Sequence, residues 1–145
     1  MRYSYLTGIS LWSVSATLSA ASLTLQVTGV MQDEKGTLMV GVYDNEATFL
    51  KNDSRVAEAK LPTASAKDGV LVVKLDKLTV NKEYAIAVFH DANNNGLLDK
   101  DWLGIPKEGY GFSNNTRGTL GPPDFKSATV KLTQENQSIS VKLSY

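Results

Sequence analysis

Ser22-Leu23-Thr24-Leu25-Gln26-Val27-Thr28 sets Leu23, Leu25 and Val27 two residues apart, with polar side chains between them and Gly29 behind. Successive side chains of a β-strand point to opposite faces, so this pattern predicts a strand with one buried and one wet face. The same rhythm recurs downstream. Leu38, Val40 and Val42 alternate within Thr37 to Tyr43, after the polar turn cluster Gln32-Asp33-Glu34-Lys35-Gly36. Val56 to Leu61 alternates and stops at Pro62, and Val70 to Leu78 is β-branched, although Leu71-Val72-Val73 leaves its inner face open. Tyr84, Ile86, Val88 and His90 share one face of the next segment, and Ala128 to Leu132 and Ser138 to Leu143 close the series. No useful length of chain carries the 3.6-residue period of an amphipathic helix. Short strands joined mostly by turn-like connections predict an all-β fold, a seven-stranded antiparallel β-sandwich.

Composition bounds the function. The chain has 145 residues, 15 Lys and Arg against 15 Asp and Glu, one His and no Cys. That length suits one domain. Zero net charge argues against a nucleic-acid binder and against a polybasic hold on membranes. Without cysteine there is no disulfide framework, zinc-thiolate site or thiol nucleophile.

Residues 1–21 read as an export signal. Arg2 gives a short charged start, Leu6 to Leu18 is mildly apolar, and Ser19-Ala20-Ala21 offers the small side chains a signal peptidase accepts, with cleavage expected before Ser22. Thr7, Gly8, Ser10, Ser13, Ser15 and Thr17 dilute the apolar run below what a bilayer-spanning helix needs. The expected mature domain, residues 22–145, carries no second membrane segment. It should be a monomer in the periplasm or outside the cell, with no membrane hold after cleavage.

The strand rhythm breaks from Asp91 to Phe125, a loop expected to cap one end of the sandwich. Loops of such length are usually functional or disordered, and Trp102, Ile105, Tyr110, Phe112 and Phe125 are too many apolar anchors for disorder. Its first part, Asp91-Ala92-Asn93-Asn94-Asn95-Gly96-Leu97-Leu98-Asp99-Lys100-Asp101-Trp102, has oxygen ligands at relative positions 1, 3, 5 and 9 and Gly at 6. Calcium is a hard cation that takes six to eight oxygens, and a loop coiled around it turns alternate side chains inward. The expected ligands are Asp91, Asn93, Asn95, the Leu97 carbonyl, Asp99 and Asp101, around a structural Ca2+.

The loop follows an EF-hand through nine positions and then departs. Trp102 occupies the place of the bidentate Glu, and a strand precedes Asp91 where a helix should stand. The missing carboxylate must come from Asp101, Glu108 or Asp124. Few charges imply weak binding, at about 10⁻⁴–10⁻³ M. The alternative is a metal-free turn, since Asn and Gly tolerate positive φ and Asn caps its own backbone.

The string from His90 to Asp99, then Leu103-Gly104-Ile105-Pro106-Lys107-Glu108-Gly109-Tyr110-Gly111-Phe112-Ser113-Asn114-Asn115 and Gly121-Pro122-Pro123-Asp124-Phe125, resembles the DUF2141 family of exported bacterial proteins. The resemblance extends over the whole expected mature chain. It implies a secreted sandwich of the immunoglobulin-like or transthyretin-like kind, with no assigned reaction. The Asp/Asn loop is also locally similar to calcium loops of bacterial surface B-type sandwich repeats.

Two further readings are carried. Tyr43, Trp102, Tyr110 and Phe112, with Glu108, are candidates for the surface of a carbohydrate- or peptide-binding module, or else anchors of the loop. His90 beside Asp91, with Ser113, is the one arrangement that suggests a hydrolase. No Gly-x-Ser-x-Gly occurs, and the single histidine and the ending Lys-Leu-Ser-Tyr do not fit the transthyretin-like hydrolases. An enzyme is not expected.

Overall fold

The computed structural model describes residues 12, 13, 15, 17–31 and 35–145. Most of the expected signal, and Gln32-Asp33-Glu34 of the expected turn, lie outside the described residues.

Among the described residues, eight strands form two sheets. β1 (Ala20–Thr28) lies between β4 (Val70–Thr79) and β8 (Asn136–Lys142) in the smaller sheet. The larger sheet runs β3 (Ala57–Pro62), β2 (Thr37–Tyr43), β5 (Glu83–Asp91), β6 (Tyr110–Phe112), with β7 (Thr129–Lys131) also pairing with β5. The strand added to the sequence reading is β6, whose three residues are too few to show a period.

The expected antiparallel arrangement needs one correction. β1 pairs antiparallel with β4 but parallel with β8, in register from Ser22↔Asn136 to Thr28↔Lys142. Alternation fixes which side chains face inward and is blind to the direction of the partner strand. β1 also starts two residues ahead of the expected domain boundary, with Ala21 buried opposite Leu78.

Both sheets contribute to one apolar cluster. Leu23, Leu25 and Val27 of β1, Leu71, Val73 and Leu75 of β4 and Val141 of β8 meet Leu38, Val40 and Val42 of β2 and Ile86 and Val88 of β5. The register between β1 and β4 slips between Ala21↔Leu78 and Leu23↔Leu75, so β4 carries a bulge at Asp76-Lys77. Lys77 there adopts φ 64°. The bulge lets both Leu75 and Leu78 point inward despite their odd spacing. In Leu71-Val72-Val73 the inner face belongs to Leu71 and Val73, and Val72 is exposed.

The other face of the larger sheet is also covered. Ala85, Phe112 and Ala128 form a small cluster with Phe49, Leu50, Ala87, Tyr110 and Phe125. Phe49 stands edge-on to Tyr43 at 5.4 Å and to Phe125 at 5.6 Å between ring centroids, a favoured geometry for aromatic pairs. The segments around Phe49 and before β7 therefore fold back over the sheet. α1 (Phe125–Ala128), a single turn, belongs to this layer.

Candidate functional site

Asp91 closes β5 at one end of the larger sheet, and its buried carboxylate organises the loop that follows. It accepts the Asn95 N–H at 3.0 Å and the Gly96 N–H at 2.8 Å. Asn94 (φ 56°) and Gly96 (φ 80°) take the left-handed conformation that turns the chain. Asn93 Oδ1 accepts the Asn95 N–H at 3.1 Å, and Asn95 Oδ1 accepts the Leu97 N–H at 2.8 Å. Both Nδ2 groups donate to Asp99, from Asn93 at 2.6 Å and from Asn95 at 2.9 Å.

Glu108 completes this network. Buried near the loop base, its Oε1 accepts the Ala92 N–H and its Oε2 the Asp99 N–H, both at 2.9 Å. One carboxylate thus clips together the two ends of the Asp/Asn turn. The approach of the chain at Gly36 holds the site from the other side. At φ 133°, a Cβ on Gly36 would lie 2.3 Å from the Asp91 carbonyl oxygen, so the contact requires glycine.

The other two carboxylates named from sequence serve their own turns. Asp101 Oδ1 accepts the N–H groups of Leu103 and Ile105, both at 2.9 Å. Asp124 caps α1 by accepting the Ser127 N–H at 2.7 Å, and that bond holds its carboxyl below the ordinary carboxylate range.

Among the described residues the ion pairs are Arg55–Glu58, Lys74–Asp76 and Lys82–Asp44. Asp91, Asp99 and Glu108 therefore have N–H donors and no ion-pair partner among the described residues. Nor, among the described residues, do three His, Cys, Asp or Glu side chains gather as a group able to hold a metal ion. Their oxygens turn onto N–H donors.

Past Asp99 the chain forms a hairpin. Lys107 N–H donates to the Asp99 carbonyl at 2.8 Å, Lys100 bridges to Pro106, and Asp101 N–H donates to the Ile105 carbonyl at 2.9 Å. Gly104, at φ 81°, donates to the Asp101 carbonyl and closes the turn. Trp102 stands at the tip, 89% exposed. The other aromatics proposed for a ligand surface are elsewhere: Phe112 and Tyr43 are buried, and Tyr110 is half-buried where it pairs with Phe89. A cavity of about 210 Å³ lies against Tyr110 and Phe112 and is lined by Asn115, Arg117 and Lys142 as well.

His90 and Ser113 are not assembled for catalysis. The buried His90 has Nδ1 at 2.8 Å from the Tyr145 hydroxyl and Nε2 at 3.2 Å from the Lys35 carbonyl. A carbonyl only accepts, so Nε2 donates to it and Nδ1 accepts the Tyr145 O–H in the neutral ring. The buried Ser113 hydroxyl accepts the Ile86 N–H at 2.9 Å and donates to the Ala128 carbonyl. Ile86 is four residues from His90 along β5, roughly 13 Å at the strand rise. Sequence reasoning had no signal for Tyr145, which lies 55 positions from His90.

The fold and site define an all-β protein of two packed sheets, with a hydrogen-bonded aspartate–asparagine loop at one end. The chain belongs to the DUF2141 family, described as an uncharacterized protein conserved in bacteria, whose family model matches residues 25–140. That span includes Asp91, Asp99 and Glu108 and stops short of Tyr145. No curated protein and no solved structure gives a significant match.

Proposed function

We propose that this is a non-enzymatic exported β-sandwich of the immunoglobulin-like or transthyretin-like kind, whose Asp/Asn loop binds calcium as a structural ion. One observation carries the calcium reading. Asp91, Asp99 and Glu108 are tied into a single network with no Lys or Arg partner among the described residues. Dipoles alone offset three carboxylates there, and a divalent cation would offset them better. The donor set is entirely oxygen, as a hard cation requires. Asp91, Asn93, Asn95, Asp99 and the Leu97 carbonyl would hold the ion, with Glu108 supplying the carboxylate an EF-hand has where Trp102 stands here. Binding would replace the amide donations of Asn93 and Asn95 to Asp99.

The test is thermal unfolding of the full chain with millimolar calcium, with magnesium and with chelator. Binding at about 10⁻⁴ M adds about 1.4 kcal/mol at about 10⁻³ M calcium, a rise of a few degrees. Asp91→Asn should lose that calcium-dependent increment, whatever its own melting point. An unchanged midpoint at millimolar calcium would leave a self-satisfied turn and end the calcium reading.

The sandwich assignment draws on the common core of the two sheets and on β1 lying between an antiparallel and a parallel partner. Export rests on the sequence of residues 1–21. Ala20 and Ala21 belong to β1, so cleavage just ahead of Ala20 would keep the strand whole, and amino-terminal sequencing of secreted protein tests this.

A second reading, a carbohydrate- or peptide-binding module, is favoured by the cavity beside Tyr110. Arg117 and Lys142 line it, and neither forms an ion pair among the described residues. Acidic sugars or peptide carboxylates that shift the Tyr110 and Gly111 amide resonances, but not in Arg117→Ala, would support it.

A further inference from the structure

Tyr110-Gly111-Phe112-Ser113-Asn114-Asn115 is the part of the long loop that the calcium reading leaves unused. Asn114 (φ 60°) and Asn115 (φ 49°) take the left-handed conformation in succession, which is uncommon outside glycine. Three side chains lock this turn. Ser113 accepts the Ile86 N–H and donates to the Ala128 carbonyl. Asn114 Nδ2 donates to the Ser127 and Thr129 carbonyls at 3.0 and 2.9 Å, and Asn115 Oδ1 accepts the Lys142 N–H at 2.8 Å. Uncommon backbone conformations held this firmly are characteristic of functional sites. Gly111 serves the same construction: a Cβ there would lie 2.5 Å from the Lys142 carbonyl oxygen, so only glycine lets β6 approach β8 this closely. The turn supplies Asn115, Thr116 and Arg117 to the cavity of about 210 Å³, β6 supplies Tyr110 and Phe112, and β8 supplies Lys142.

We propose that this cavity binds a single hexuronate ring, an inference that rests on the binding-module reading above and narrows its ligand. The charge is one-sided. Arg117 and Lys142 line the cavity, no Asp or Glu does, and neither cation forms an ion pair among the described residues. Arg117 also donates to the Ser144 hydroxyl, which restrains its planar fork, the geometry that suits a carboxylate. Tyr110 brings an aromatic ring with a hydroxyl, Asn115 an amide and Thr116 a hydroxyl, and such groups match the face and the hydroxyls of a sugar. The volume falls below the roughly 300 Å³ at which drug-sized pockets begin, so one ring fits and a longer segment does not. A peptide is the poorer occupant, because strand addition needs a free edge. Tyr110 already exchanges both backbone bonds with Ser144, and the Lys142 N–H is taken by Asn115. The proposal does not depend on calcium, since these residues stand outside the Asp/Asn turn.

The test is an NMR titration of the full chain with the methyl glycosides of glucuronic and galacturonic acid. Either should shift the Tyr110 and Gly111 amides and the Arg117 side chain. Neutral methyl glucoside should bind at least about tenfold more weakly, as should the glucuronide to Arg117→Ala, because charge-assisted hydrogen bonds are lost in both cases. Arg117 is exposed, so that variant should melt at the parent temperature. Acetate or an acetylated tripeptide binding as tightly as the glycosides would overturn the uronate assignment and leave an acid-binding module in place. Glucoside binding as tightly as glucuronide, or glucuronide binding unchanged in Arg117→Ala, would overturn it too, because the cations would then have no part. No shift with any of these probes would end this inference and the module reading together.

Discussion

The Tyr145 hydroxyl lies 2.8 Å from Nδ1 of His90, with the two rings edge to face at 5.8 Å between centroids. The same hydroxyl accepts the Met31 N–H at 3.3 Å. One side chain therefore joins the end of β5, the chain beyond β8 and the chain beyond β1. The sole histidine is buried with a hydrogen-bond partner on each ring nitrogen, and its tautomer is set by the Lys35 carbonyl on the far nitrogen.

Tyr145→Phe should cost about 1 kcal/mol in denaturant unfolding, the net worth of a partly buried hydrogen bond. The ring is retained, so the packing stays. Nitrogen chemical shifts of the His90 ring should show the Nε2–H tautomer in the parent protein. An Nδ1–H ring would contradict the donor assignment.

Glu108→Ala should destabilise the fold by about 1–3 kcal/mol, because the Ala92 and Asp99 N–H groups lose a charged acceptor in a buried place. Glu108→Gln keeps one acceptor oxygen and should cost less. Amide exchange at Ala92 and Asp99 is the sharper readout. Both should lose protection in Glu108→Ala while the amides of β1 keep theirs.

Gly36→Ala should be more damaging than its size suggests, by about 2 kcal/mol or more. The added methyl would meet the Asp91 carbonyl oxygen and the Ala92 Cα, both backbone atoms that cannot swing away. Urea unfolding measures the loss. A neutral result would mean that the chain at Gly36 can withdraw from β5.

Asp124 offers a pH test. Its carboxyl is held below the ordinary value chiefly by the Ser127 N–H, so its contribution is present above the unfolded-state value and fades as pH falls through the lower folded one. An NMR titration should place Asp124 below 3.8, with the Ser127 amide moving in step. A free-acid midpoint at Asp124 would show that the cap is not formed in solution.

The strands with one buried face were legible because burial imposes the alternation that sequence displays. Leu23, Leu25 and Val27 of β1 needed no further information. Pairing direction did, since a parallel and an antiparallel partner ask the same alternation of β8. The bulge at Asp76-Lys77 was hidden for a related reason: an extra residue changes the phase without changing composition. Within the site, the residues at positions 1, 3, 5 and 9, Asp91, Asn93, Asn95 and Asp99, share one hydrogen-bonded network. Nearness in sequence did not show which carboxylate meets that network, because Asp101 accepts N–H groups of its own turn while Glu108 returns across the hairpin to Ala92 and Asp99. The link from His90 to Tyr145 has no local trace at all.

The parallel pairing of β1 with β8 also constrains the order of assembly. Ser22 and Asn136, bonded side chain to side chain at 2.8 Å, are 114 positions apart. Contacts this remote incur their loop-closure cost before they return any stability, and chains rich in them fold slowly. While the chain is being synthesised, β1 can find β4 but must wait for β8, leaving one of its edges open. A chain with that topology remains incomplete, and threadable, until residues 136–142 have emerged.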